Sequence, residues 1–521
     1  MSGMFDSKHD KAKRKIDRTL KEEKAKKKSR NITIIVVVAF LLLLTASLIA
    51  NSSWIRRVLP VITIDGVSFS TAEYEYFFNV QYIEYMQFMS QFQGMGGPDR
   101  SRPLSTQIYD HTTGETWADL ISAAVYSRLQ NMVGLYNAAK EAGFSLSEEY
   151  IEKIDQEMYL IEMEALYSPD IPSANALLQR MYGTSLNTKV YRNLLEFMIT
   201  AEAFSEHIRM LPEYTDSQLS DYYLQNEDDL DVFSFRLLTV NAELPDEDTP
   251  DYDIVKEQAI ADAQDTAREL ASFIETQQDF MDVALAYNYS LYLNPSSTLR
   301  QTQGEGLNEL YADWLLESSR GYGDISVFNT ESGASIVFFI ERDKNDYYTV
   351  GMRQILIMRE AVSPANFPLG EDDPDYIEAV ELAQRDAWDR AQMVDALFTS
   401  EGKTEAALLA LMEEYSDDST EGGFYDGISR FSYQGADFRA MKVVPELEEW
   451  LFEYGRQPGD SRLIETSDFG YHLMYFTGFG DKLFSHIIAD DRMRTAAHNE
   501  WLDSITVGEP IKHRAFILVS V

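Results

Sequence analysis

The chain has 521 residues, 45% of them apolar, and 86 Asp+Glu against 45 Lys+Arg give a formal charge of −41. That length holds several domains of about 100–200 residues each, and the apolar share is ample for packed cores. Such acidity excludes a nucleic-acid partner for the body of the chain, because phosphate has to be met by Lys and Arg. The lack of any cysteine excludes disulfides, thiol catalysis and thiolate metal sites.

Residues 1–31 form a basic tail, with 12 Lys+Arg against 5 Asp+Glu in the first 30. Residues 32–50 are uncharged and almost wholly apolar. As a helix they would rise about 28 Å, close to the ~30 Å thickness of bilayer hydrocarbon. The basic stretch ahead is too long for a signal peptide. A single transmembrane helix is therefore expected, in a single-pass cell-membrane protein whose N-terminus is cytoplasmic and whose remaining chain lies outside.

Residues 55–230 read as a helical region with one N-terminal hairpin. Val61–Phe69 turns at Asp65-Gly66, and Ser70-Thr71-Ala72-Glu73 is a capping box. The helix it opens is dense in Tyr, Phe and Met (Tyr74, Phe77, Phe78, Tyr82, Tyr85, Met86, Phe88, Met89). Its face reads either as core or as an adaptable apolar groove for unfolded chains. Helical periodicity recurs at about 115–142, 145–166, 173–182, 186–211 and 215–225.

Two segments, 231–347 and 348–480, share one pattern. Each opens on a short strand (Phe235–Val240, Met352–Ile357), runs through an acidic loop into a helix rich in Ala and Gln, and closes on a strand after glycine (Gly333–Phe339, Gly470–Phe476). Trp314, Gly323-Asp324 and Thr330 recur 136 residues on as Trp450, Gly459-Asp460 and Thr466. The fold class is α+β, with one module repeated. Leu237 and Ser335 of the first copy stand where the second has Gln354 and His472. The tail, 481–521, offers a helix at about 489–504 and a strand at 515–520, both expected to pack on the body.

The second copy resembles the parvulin family of peptidyl-prolyl isomerases. The resemblance rests on Arg353-Gln354-Ile355-Leu356-Ile357, Tyr415-Ser416-Asp417-Asp418-Ser419-Thr420-Glu421-Gly422-Gly423, Val443-Val444-Pro445-Glu446-Leu447-Glu448, Gly459-Asp460 and Phe469-Gly470-Tyr471-His472. The first copy looks like a diverged parvulin-like module, and 55–230 resembles the helical chaperone region that precedes such modules in extracytoplasmic foldases. The resemblance implies a site built from His472, Asp418, Gln354 and Ser467, with Val443, Val444, Leu447 and Phe469 around the proline ring. Gln354 replaces the first histidine of the family pattern, Leu447 a usual Phe and Val443 a usual Met. Without the resemblance, His472 reads as a strand histidine with one hydrogen bond, and Ser416–Glu421 as a polar turn.

No His-Glu-x-x-His, Gly-x-Ser-x-Gly, P-loop or dinucleotide fingerprint occurs, and no cofactor or metal is expected. Glu371-Asp372-Asp373-Pro374-Asp375 lacks EF-hand spacing and reads as a solvated loop. The expected function is a protein-folding factor that isomerises X-Pro bonds and binds unfolded or secreted polypeptides. The alternatives are a holdase or scaffold without turnover, and a surface adhesion or assembly protein.

Overall fold

A computed structural model describes residues 27, 34–41, 53–90, 97–99 and 101–513, except 184, 247, 437 and 468. The basic tail and the expected strand at 515–520 lie outside these residues, apart from Lys27.

The expected transmembrane helix is overturned. Among the described residues no helix is long and apolar enough to cross a membrane. Within 32–50 the described helix covers only 34–41, a rise of about 12 Å against the ~30 Å required. Residues 32, 33 and 42–50 lie outside the described residues. The single-pass placement in a cell membrane falls with that helix.

The chain packs as two units, 1–211 with 498–521, and 212–497. In the first unit, β1 (Pro60–Ile64) and β2 (Val67–Ser70) form a hairpin. Its turn residues Asp65 and Gly66 have φ of 39° and 81°, the left-handed pair that a two-residue hairpin turn demands. A short strand, Ile511–Lys512, pairs with β1. The Ser70 amide donates to Glu73 Oε2 at 2.7 Å and the Glu73 amide to Ser70 Oγ at 3.4 Å, which closes the capping box of helix Thr71–Ser90. Four further long segments, Trp117–Glu141, Glu148–Tyr167, Ala174–Tyr182 and Thr188–Met210, complete the helical layer. The aromatic stripe divides along its length. Tyr74, Phe77 and Phe78 are buried in the core, whereas Tyr82, Ile83 and Met86 border an open cavity of about 560 Å³.

The second unit holds two four-stranded sheets of the same topology. The first runs β4 (Leu299–Gln303), β3 (Val232–Asn241), β6 (Gly333–Asp343), β5 (Ile325–Thr330). The second runs β8 (Phe424–Ile428), β7 (Tyr348–Met358), β12 (Gly470–Leu483), β11 (Ser461–Thr466), with a separate two-residue ladder of β9 (Tyr433–Gln434) and β10 (Arg439–Ala440). In each sheet the first and last long strands of the copy lie side by side at the centre.

Shared side chains fasten both copies. Arg236 Nη1 bonds Thr298 Oγ1 at 2.7 Å and its Nε bonds Gln277 at 3.3 Å; Arg353 reaches the Gly422 carbonyl at 2.7 Å and Glu405 at 2.6 Å. Each arginine pins its strand to a turn and to a helix start. Likewise Arg320 lies over the Trp314 ring at 3.9 Å and Arg456 over Trp450 at 4.2 Å. Both also donate to the carbonyl of the tryptophan they cover and pair with an aspartate and a glutamate (Asp324 and Glu317; Asp460 and Glu453). Cation–π stacking combined with charge-assisted bonds makes this a strong local clamp.

In the second sheet, Ile355, Ile357, Tyr471 and Leu473 point to helices Pro374–Ser400 and Glu405–Tyr415. Val350, Met352, Met474 and Phe476 point the other way, to helix Pro445–Leu451. The acidic loop at 371–375 proves to be a helix start: Asp373 accepts from the Asp375 amide at 3.0 Å and from Leu369 at 3.2 Å. Helix Phe484–Ser504 contributes Phe484, Ile488 and Ala489 to a cluster with Leu219 and Tyr223 in this unit.

Candidate functional site

Period-two alternation puts Gln354, Leu356, His472 and Met474 on one face of the second sheet. In the β7–β12 register His472 faces Leu356, and Gln354 faces Met474. Gln354 and His472 are thus diagonal neighbours, within reach of each other across one pair of strands. Both are buried, at 6% and 4% exposure.

His472 Nδ1 and Gln354 Oε1 are 2.8 Å apart, and Gln354 Nε2 donates to Asp418 Oδ2 at 2.8 Å. A carboxylate only accepts, so the amide must turn its nitrogen to Asp418 and its oxygen to His472. The proton of neutral His472 then sits on Nδ1. Its Nε2 is left to accept from the Thr466 hydroxyl at 3.0 Å. On the far side the Tyr425 hydroxyl donates to Asp418 Oδ2 at 2.8 Å and lies 2.8 Å from Thr420 Oγ1. One hydrogen-bonded chain therefore runs Tyr425, Asp418, Gln354, His472, Thr466.

The turn that carries Asp418 is sewn to β7 rather than paired as a strand. The Asp417 amide donates to the Leu356 carbonyl at 2.8 Å, Ser416 Oγ accepts from Leu356, and Asp417 Oδ2 accepts from the Met358 amide. Those bonds satisfy the backbone of β7 beyond the end of β8. Gly422 and Gly423, at φ 59° and 49°, reverse the chain into β8. A Cβ on Gly423 would stand 2.4 Å from the Gln354 carbonyl oxygen, so only glycine lets the turn approach the strand this closely.

Burial drives the His472 pKa down to about 4, although the Asp418 and Glu446 carboxylates pull it upward. The imidazole is neutral near pH 7. Burial pushes Asp418 up, but donation from the Thr420 amide, Gln354, Tyr425 and the Thr420 hydroxyl outweighs it and holds the carboxyl below its ordinary range. Burial raises Tyr425, with Thr420 opposing and Asp418 reinforcing the shift. The site combines a fixed anion, a phenol held in its protonated form and a neutral imidazole.

Of the residues marked in the sequence, Gln354, His472 and Asp418 meet directly. Ser467 does not join them: it is exposed, its amide donates to Glu446 Oε1 at 3.3 Å and its carbonyl accepts from Arg359. Thr466, one residue earlier, makes the contact with His472. Val443, Val444 and Leu447 share an apolar cluster with Met474, Phe476 and the ring of Tyr425. Phe469 stands apart from that cluster, 45% exposed, with its ring edge-on to His472 at 6.3 Å. Thr420, Tyr425 and Thr466 were missed. Thr466 carried a signal, as the threonine repeated at Thr330; Tyr425 carried none.

No family model matches the chain, and no curated protein matches it. Among solved structures it is similar to a peptidylprolyl isomerase, PrsA, from Bacillus anthracis, at 12% identity and a TM-score of 0.21, over 50% of this chain and 97% of that one. It is also similar to PrsA from Bacillus subtilis, at 12% identity and a TM-score of 0.15, over 53% of this chain and 91% of that one. Overlap this low leaves the reading of the site to its own residues.

The first sheet supplies a comparison within the chain. There Leu237 faces Val337 and Ser335 faces Thr239, the register positions that Gln354 and His472 hold in the second. With a leucine and a serine the same two positions cannot form the amide–imidazole bridge.

Proposed function

We propose that this chain is a protein-folding factor whose second module turns X-Pro bonds between cis and trans. The observation that carries the reading is the hydrogen-bonded chain that converges on Asp418, from Tyr425 on one side and from Thr466 through His472 and Gln354 on the other, beside an apolar cluster on the same sheet face.

Planar peptide bonds are held by resonance that places negative charge on oxygen, behind a barrier of ~18–20 kcal/mol. Twisting removes that charge separation and leaves the nitrogen pyramidal. An ionised Asp418 facing the carbonyl, with Val443, Val444, Leu447 and Phe469 excluding water from the ring, disfavours the planar form more than the twisted one. No bond to substrate is required. A thousandfold acceleration asks for about 4 kcal/mol of this difference. Both ring nitrogens of His472 are occupied by Gln354 and Thr466, so its part is positioning: it holds the amide that holds the carboxylate.

The test is the isomerisation rate of a short X-Pro peptide with the purified chain, run beside Asp418→Ala and His472→Ala. Faster exchange with the parent chain, reduced in both variants, supports the reading; rates at the uncatalysed background for the parent chain sink it. The same occupied imidazole favours a second reading, a holdase whose module keeps the fold without turnover. Suppressed aggregation of an unfolded client at background isomerisation rates selects it.

A further inference from the structure

Strand β11 is the edge of the second sheet, and no strand pairs with its outer side among the described residues. Between that edge and helix Pro445–Leu451 opens a groove of about 420 Å³. Arg462, Leu463, Ile464 and Glu465 all border it. Successive strand residues point to opposite faces, so four in a row along one groove means that the groove exposes the strand's edge. On the opposite face of the sheet, Glu465 also borders a second cavity of about 410 Å³ with Trp388 and Tyr471.

The helical wall of the groove is acidic. Glu453 is engaged by Arg456 and Glu446 by the Ser467 amide, while Glu449 is exposed and has no hydrogen bond or ion pair among the described residues. At its C-terminal end β11 delivers Thr466 to His472, and Ile464 sits directly opposite His472 in the β11–β12 register. This edge therefore ends beside the candidate site.

An open sheet edge takes an extended chain by main-chain hydrogen bonds, with alternate side chains read by pockets on the two faces. A second copy of this chain would bring another acidic wall against this one, on a molecule of charge −41, and like charges so placed repel. We propose that the groove between helix Pro445–Leu451 and β11 takes an extended polypeptide segment bearing Lys or Arg as a fifth strand of the sheet. The inference rests on reading the neighbouring site as one for polypeptides, and it names the segment that site receives.

The test uses the full chain and a fluorescent peptide of strand length with Lys at alternate positions. Its Glu counterpart and the Lys peptide N-methylated at alternate residues serve as comparisons, with anisotropy as the readout. Binding is expected for the Lys peptide only. Glu449→Lys should weaken it about tenfold, as expected for reversing one rim charge against several cations, and Glu449→Gln less. Equal binding of the N-methylated peptide, or unchanged affinity in Glu449→Lys, overturns the proposal. So does sedimentation showing a dimer that the peptide does not dissociate. The isomerase assay separates the two readings: binding without turnover refutes only the isomerase, and turnover without binding refutes only the docking edge.

Discussion

Acidification should weaken the second module through one residue. In the fold His472 titrates near 4, against about 6.5 in an unfolded chain. The unfolded state therefore binds the proton first, and stability contributed by the neutral imidazole is complete above about pH 6.5 and lost as pH falls toward 4. At pH 4 the loss from this residue alone is about 3 kcal/mol, since each pKa unit is worth about 1.4 kcal/mol. The structural cause is burial: at 4% exposure the charged ring loses hydration that the Asp418 and Glu446 carboxylates only partly replace. Urea unfolding followed by tryptophan fluorescence, from pH 7 to pH 4, compares the parent chain with His472→Gln. Carboxylates away from Asp418 and Glu446 titrate alike in both, so the difference between the two pH profiles reports the imidazole and its two carboxylate neighbours. Parallel profiles would refute the argument, as would an NMR titration of His472 with its midpoint near 6.5.

Three further outcomes follow from the same contacts. Gln354→Leu strips His472 Nδ1–H of its acceptor and Asp418 of a donor; a destabilisation of about 2–4 kcal/mol is expected from unfolding curves, with the Asp418 pKa moving up. Gly423→Ala drives a Cβ into the Gln354 carbonyl at a positive φ, and should cost about 2 kcal/mol or more while broadening the His472 resonance. Arg456→Ala and Arg320→Ala each remove a guanidinium stacked on tryptophan and should each lose about 1–3 kcal/mol; only Arg456→Ala should also slow isomerisation.

Local pattern carried much of the fold. The helices from Trp117 to Gln225 end within three residues of where periodicity placed them, and four of the five start on a side-chain cap that the sequence carries. The Asp65-Gly66 turn and the Ser70–Glu73 box were equally plain. The strands were read too short: Met352–Ile357 is the apolar centre of Tyr348–Met358, whose polar start is held by ladder bonds to residues far along the chain. At the site, the family resemblance brought Gln354, Asp418 and His472 to notice, but it marked Ser467 where Thr466 makes the contact. β11 ends at Thr466, and only its register with β12 puts that residue, rather than Ser467 in the turn beyond, against His472. Tyr425 joins through the course of a glycine turn, which composition does not encode. The apolar run at 32–50 shows the opposite error, where composition suggested a span that no described helix supplies.

The paired modules give the molecule an internal blank. Both carry the arginine pin and the arginine–tryptophan clamp, yet only one carries the bridged histidine. Whatever a clamp substitution does in the first module is therefore scaffold alone, and subtracting it from the matching substitution in the second leaves the part that belongs to the site. Writing Leu237→Gln and Ser335→His into the first copy asks the complementary question, whether two side chains on a ready-made frame suffice to start the bridge.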